Sequence, residues 1–158
     1  MLRDKNLVPL SRQHQHALAL CVRIERASPI EGSPLAQWQA EMAQQFEAEI
    51  KFHFAAEEQI VFPAARNFGE LNSLVDQLIE EHALLRACFK KAECKQMAGD
   101  DISDFARRLS EHIRKEERQL FERLQQLLAA EEMERMGREL DRAMESASQS
   151  CALPTPKQ

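Results

Sequence analysis

The sequence predicts an all-α fold, an antiparallel up-down-up-down four-helix bundle with a short extra C-terminal helix. Three observations carry that expectation. Only 4 glycines and 6 prolines interrupt 158 residues rich in Ala, Leu, Glu, Gln and Arg, which favour helix. Four long stretches place apolar residues at helical spacing. The breakers fall between those stretches in short clusters, and short connections make successive helices antiparallel neighbours.

The first helix is expected from Ser11, as its N-cap, to about Arg26, ahead of Ser28-Pro29. Ser28–Ser33 reads as a loop, and Ser33-Pro34 as an N-cap followed by proline in the first turn of the second helix. That helix should run to about Phe62, where Pro63 disrupts it. Asn67–Gly69 marks a turn, and a third helix spans about Glu70 to Ala98, stopped by Gly99. Asp100, Asp101 or Ser103 can cap the fourth, which continues to about Ala129. A charged segment from Glu131 to Ala147 has a weak apolar stripe (Met133, Met136, Leu140, Met144) and is expected to pack back on the bundle. Residues 1–147 read as a single domain and residues 148–158 as a disordered tail.

At this length one domain buries a sizeable core without disulfides or a structural metal. A net charge of -5 offers no basic footprint for nucleic acid. No apolar run is long enough to span a bilayer, and the opening MLRDKNLVPLSRQ lacks the apolar stretch of a secretory signal. Cys21, Cys88, Cys94 and Cys151 form no CxxC and read as reduced thiols of a cytoplasmic protein. The absence of tyrosine excludes a tyrosyl radical from any chemistry here.

The apolar stripes are where the chemistry shows. In the second helix the stripe runs Leu35, Trp38, Met42, Phe46, Ile50, then His53, Glu57 and Ile60. In the fourth it runs Ile102, Phe105, Leu109, then His112, Glu116, Leu120, Leu124 and Leu127. The third helix gives Leu71, Val75, Leu78, His82, Leu85 and Phe89, and the first Leu10, His14, Leu18 and Cys21. Each helix therefore sends one histidine inward, and two add a glutamate one turn later. Ionised carboxylates are costly to bury unless paired or bound to a metal. Two His-Glu pairs on facing helices can hold two metals that share bridging carboxylates. Imidazole with carboxylate suits iron, zinc or manganese, and the lack of inward thiolates argues against a structural zinc site. A lone inward histidine, or a lone HxxxE pair, would read as ordinary core and intrahelical pairing. Four such histidines, in a chain that has 5 histidines in all, argue for a metal centre instead. His16 lies about 200° around its helix from His14 and cannot share the site. Glu58 and Glu117, one residue beyond the stripe, read first as solvated or salt-bridged faces, with support of a ligand as the alternative.

The sequence also repeats itself once. His53 to Phe62 and His112 to Phe121 both read H-x-x-x-E-E-x-x-φ-F, a local two-fold within one bundle.

These residues resemble the hemerythrin-like, or HHE cation-binding, family. The Ser-Arg-Gln-His14 opening, His53-x-x-x-Glu57, the Glu81-His82 pair and His112-x-x-x-Glu116 carry the resemblance, over roughly Pro9 to Leu128. It implies a four-helix bundle around two iron ions, an oxo- or hydroxo-bridged di-iron centre. By that resemblance His14 and His53 would bind one iron, His82 and His112 the other, and Glu57 and Glu116 would bridge them. Two departures from the oxygen carriers of the family stand out. Their further third-helix histidine is Arg86 here, which has no free lone pair. Their fourth-helix carboxylate is an aspartate at the position of Glu117, although Glu116 keeps the spacing of the bacterial HHE proteins.

Fewer protein donors leave both irons able to accept water or an exogenous ligand, which favours sensing, reactivity or plain metal binding over oxygen carriage. The resemblance thus implies a cytoplasmic di-iron protein binding oxygen, nitric oxide or iron as a sensor or store. The competing reading is an enzyme that decomposes peroxide or reduces a small oxidant. A ferritin-like oxidase is disfavoured, because no Glu stands three residues before any histidine. A metal-free interaction bundle is the last alternative. The expected partner is a small diatomic or peroxide ligand, not nucleic acid or membrane, with a protein partner or homodimer left open.

Overall fold

In the computed structural model, which describes residues 2–151 (side chains of 149–151 excepted), helix follows helix and no strand occurs among the described residues. Helix α1 is Val8–Ala27 and α2 covers residues 34–66. A single 3-10 turn, Gly69–Leu71, leads into α3, Asn72–Glu93. Helix α4 covers residues 99–127 and α5 is Ala130–Cys151. The expected all-α bundle with an added C-terminal helix is what forms. Helix α1 packs on α4 and α2, α2 on α3, and α3 on α4.

Several boundaries differ from expectation, each for a local reason. Helix α1 begins at Val8 rather than Ser11, because Pro9 sits in the first turn and the Asp4 carbonyl accepts the Leu7 and Val8 amides at 3.0 and 3.1 Å. Pro63 does not stop α2. A wider π turn, Glu57–Val61, precedes it, and the Phe62 amide reaches back five residues to the Glu57 carbonyl. The ladder is thus already shifted where the proline lacks its donor. Helix α3 ends at Glu93, not Ala98. Lys95 takes the left-handed turn (φ 56°), and the Gln96 and Lys95 amides bond to Lys91 and Ala92 at 2.9 and 3.0 Å, a Schellman closure without glycine. Gly99 is instead the first residue of α4. A Cβ there would collide with the Ile30 carbonyl oxygen, so glycine serves close approach rather than helix termination. Asp101 caps α4 by accepting the Ala98 amide at 2.9 Å.

Two apolar cores flank a polar middle. One joins Ile24 of α1, Met42 and Ile50 of α2, Leu85 and Phe89 of α3, and Phe105 and Leu109 of α4. The other joins Leu7 and Leu10, Val61 and Phe62, Val75 and Leu78, and Leu120, Phe121 and Leu124. Helix α5 closes this second core with Met133, Met136 and Leu140, all buried, as its weak stripe leads one to expect. It continues past Ala147 to Cys151, where a tail is expected from residue 148, and residues 152–158 of that segment lie outside the described residues. The histidines and glutamates lie in the layer between the cores.

Candidate metal centre

The four helices deliver six buried polar side chains to that layer. His14 comes from α1, His53 and Glu57 from α2, His82 from α3, and His112 and Glu116 from α4. Glu57 and Glu116 are 0% exposed, burial that an ionised carboxylate tolerates only beside cations or a metal. All six positions expected to face inward do so.

Each of these four histidines turns Nε2 to the centre and Nδ1 away from it. His14 Nε2 lies 2.9 Å from His53 Nε2. Two facing nitrogen lone pairs repel at that range unless a proton or cation lies between them. Glu57 spans the gap between the pairs, its Oε1 being 3.2 Å from His53 Nε2 and 3.7 Å from His14 Nε2, its Oε2 3.4 Å from His82 Nε2. Glu116 spans it in the same sense, with Oε2 3.2 Å from His14 Nε2 and Oε1 3.1 and 3.6 Å from the Nε2 atoms of His112 and His82. Donor atoms of His14, His53, Glu57 and Glu116 gather closely enough to hold an ion, as do those of His82, His112 and Glu116.

The outer nitrogens are each tied down. His14 Nδ1 donates to Glu117 Oε1 (2.6 Å), His53 Nδ1 to Gln13 Oε1 (2.8 Å), His82 Nδ1 to Glu58 Oε1 (2.8 Å) and His112 Nδ1 to Glu81 Oε2 (2.8 Å). Carboxylate and amide oxygens only accept, so Nδ1 keeps its proton and Nε2 is the nitrogen left to bind a cation once it sheds its own. Cations hold the carboxylates in turn. Arg3 bonds Glu117 at 2.6 Å, Arg86 bonds Glu58 at 2.7 Å, and Lys115 bonds Glu81. The inner atoms, by contrast, are orphaned. Both oxygens of Glu57, both of Glu116, and Nε2 of His82 and His112 are buried without a hydrogen-bond partner. Buried polar atoms rarely go unpaired, and an inward-facing set of nitrogen and oxygen donors of this kind fits a cation.

The charges are mutually dependent. Burial alone would lower the histidine pKa values, but the facing carboxylates outweigh it and raise His14 and His82 to about 9 and His112 to about 10. Burial and mutual repulsion would raise the two central carboxyls, yet the surrounding imidazoles hold Glu57 below the usual range and Glu116 well below it. Behind His14, Glu117 is pulled down to about 2, burial being overcome by His14, Ser11 and Arg3.

The repeat now has a structural meaning. In each copy the first glutamate faces the centre. The second, about 100° further round, reaches the flank where a neighbouring helix packs. There Glu58 backs His82 and Glu117 backs His14. The closing phenylalanine of each copy stacks on the same histidine, Phe62 on His82 at 5.4 Å and Phe121 on His14 at 5.6 Å between centroids. Glu58 and Glu117 are salt-bridged, to Arg86 and Arg3, as the first reading allowed, and each also backs a histidine, as the alternative had it, because their flank is an interface rather than open solvent. Each copy also carries a π turn, Glu57–Val61 and Glu116–Phe121, which advances the inward register by one residue. Val61 and Phe62, and Leu120 and Phe121, are therefore the buried pairs, while Ile60 and Leu127 are only half-buried.

His16 is exposed and pairs with Glu49 at 3.1 Å, away from the centre. Arg86 is spent on Glu58 and lies over the Phe54 ring. Sequence reasoning gave no role to Gln13, Glu81, Arg3, Lys115 or Phe54. Phe54 stacks on His82 at 3.9 Å, and the signal for Gln13 and Glu81 is their place immediately before a histidine, within motifs that carry the family resemblance. A cavity of about 10 Å³, room for one water-sized centre, opens on the layer, with the donors His14, His53, His112 and Glu116 in its wall beside apolar residues such as Phe54 and Leu109.

A helical bundle whose buried layer is a cage of imidazoles and carboxylates is, by class, a metal-binding protein. The family profile described as Hemerythrin HHE cation binding domain matches residues 8–124, and the chain belongs to that family. No curated protein and no solved structure matches the chain.

Proposed function

We propose that the protein holds a pair of iron ions in this layer and binds a small ligand such as oxygen or nitric oxide there. The observation that supports it most is the orphaned inner surface. Six buried donor atoms lack a hydrogen-bond partner and face only one another, while all four outer imidazole nitrogens are anchored. In this reading His14 and His53 hold one ion and His82 and His112 the other, with Glu57 and Glu116 between them. Iron supplies exchangeable coordination positions and reversible redox chemistry. The chain supplies orientation through Glu117, Gln13, Glu58 and Glu81, and excludes water through the phenylalanines.

Binding is favoured over turnover by what faces the small cavity. Beyond the donors, its exposed surface is mostly apolar, and Arg86, which could have steadied a bound anion, is engaged with Glu58. A cytoplasmic location accords with unpaired Cys21, Cys88 and Cys94. No helix is long and apolar enough to cross a membrane among the described residues. Anaerobic loading with ferrous iron, followed by exposure to nitric oxide or azide, tests the reading. New optical bands that vanish in Glu57→Ala protein of unchanged helicity are expected. Identical spectra with and without the added ligand would overturn ligand binding at the centre.

A further inference from the structure

Helix α3 has an inner face, spent on the two cores and the buried layer, and an outer one that the bundle leaves unused. The outer seam is Gln77, Glu80, Leu84, Ala87, Lys91 and Cys94, the alternating three- and four-residue spacing that lets one helix lie along another. All six residues are exposed. At the middle, Leu84 is 56% exposed, the most exposed large apolar side chain of the described helices. A cavity of about 200 Å³ lies beside it, edged by Arg107 and Arg108 of α4. A single exposed leucine is ordinary and carries no message alone. The order of residues along the seam does carry one, because reversing the seam gives its complement. Reversal exchanges Glu80 with Lys91, Leu84 with Ala87 and Gln77 with Cys94, so acid falls on base and a large apolar residue on a small one. Neighbouring charges are already paired, Asp76 with Arg66, Lys90 with Glu93, and Arg107 with Asp104 and Glu111. Glu80 and Lys91 have no ion-pair partner among the described residues.

We propose that the outer seam of α3 is the interface of a symmetric dimer, in which a second copy of this chain lays its α3 antiparallel across the first. Glu80 of each copy meets the Lys91 of the other, and Leu84 packs on the opposite Ala87 on either side of the two-fold axis. A closed pair of this kind uses one patch twice, so whatever complementarity the seam has is counted twice. Parallel alignment in register would set Glu80 against Glu80 and Lys91 against Lys91, like charges that oppose it. The two unpaired charges of the seam are thus the two that antiparallel pairing joins. Each copy contributes one helix and one large apolar side chain, so the dimer is weak and depends on concentration. Salt screens exposed pairs, so it also weakens as ionic strength rises. The pairing needs no metal, because none of the six seam residues is a donor of the buried layer.

Sedimentation velocity of the full-length protein, from micromolar to millimolar concentration at low salt, tests this, with circular dichroism to show that each variant remains helical. Wild type should pass from monomer to dimer, and Leu84→Glu should weaken dimerisation about 10–100-fold. Val22→Glu, the same change at an exposed apolar residue of α1, should leave it unaltered. Glu80→Lys and Lys91→Glu should each weaken self-association. Mixed together, the two single variants should associate, because each supplies the charge that the other lacks. The double variant, Glu80→Lys with Lys91→Glu, should dimerise like wild type. Wild type that stays monomeric throughout would overturn the proposal and leave the seam to a different protein or to solvent. A dimer that Leu84→Glu does not weaken, or single charge variants that fail to associate when mixed, would overturn it as well.

Discussion

A histidine in the core of a bundle has two ring nitrogens to satisfy, and here the outer one is always satisfied by protein while the inner one faces other donors. That division lets pH report on the centre. In metal-free protein, His14, His82 and His112 titrate near 9 to 10 rather than at the ordinary 6.5. Folded protein therefore holds these protons more tightly than unfolded chain does. The stability they contribute is complete below about pH 6.5 and is lost as pH rises through 9 to 10. Glu117 acts at the other limit, contributing above its ordinary 4.5 and losing that contribution as pH falls toward about 2. Melting temperature in chelator should thus be highest between those limits and fall toward pH 10. Metal affinity should show the opposite slope, rising with pH, because ligands must shed protons to bind. A metal-free melting temperature that climbs from pH 7 to 10 would contradict the charge arrangement. Phe54, stacked on His82 and buried, makes a second test. Phe54→Ala should cost about 3–5 kcal/mol in chemical denaturation, whereas a loss under about 1 kcal/mol would mean that the ring is not packed as described. Inward positions such as His53 and Glu57 were legible in the sequence, because 3.6-residue periodicity alone assigns a face. The backing residues were not. Whether Glu58 meets water or His82 depends on which helix lies on its flank, and periodicity carries no such information.

Helix ends and helix irregularities show what local sequence leaves open. Ser33-Pro34 marks the start of α2 as expected, because a proline in the first turn needs no partner helix to act. Pro63 and Gly99 were misread for a shared reason, since each takes its meaning from context. The π turn absorbs the missing donor of Pro63, and the Ile30 carbonyl, distant in sequence, is what requires Gly99 to lack a side chain. Comparing two glycines tests this. Gly99→Ala should lower stability by at least about 1–3 kcal/mol through the backbone collision. Gly69→Ala, with open space around its Cβ position, should be neutral or stabilising by up to about 1 kcal/mol. Equal effects of the two changes on the melting temperature would show that α4 does not approach the Ile30 loop as described.

Seen as a whole, the molecule is two apolar cores with a polar layer between them, and the layer is the part that hydrophobic burial alone does not explain. Helix α5 belongs to one core only, through Met133, Met136 and Leu140. Removing it should expose Leu7, Val61 and Phe62 and lower the melting temperature, while leaving the six donors in place. Metal uptake by the shortened chain at low temperature would check that separation, and complete loss of uptake would show that α5 is integral to the layer. The most direct measurement for the central claim is the iron content of full-length protein after anaerobic loading with ferrous iron and desalting. A pair of irons per chain is expected, with uptake impaired in Glu57→Ala and Glu116→Ala proteins that remain helical. Folded wild-type protein that retains no iron, or retains it equally well without those glutamates, would contradict it.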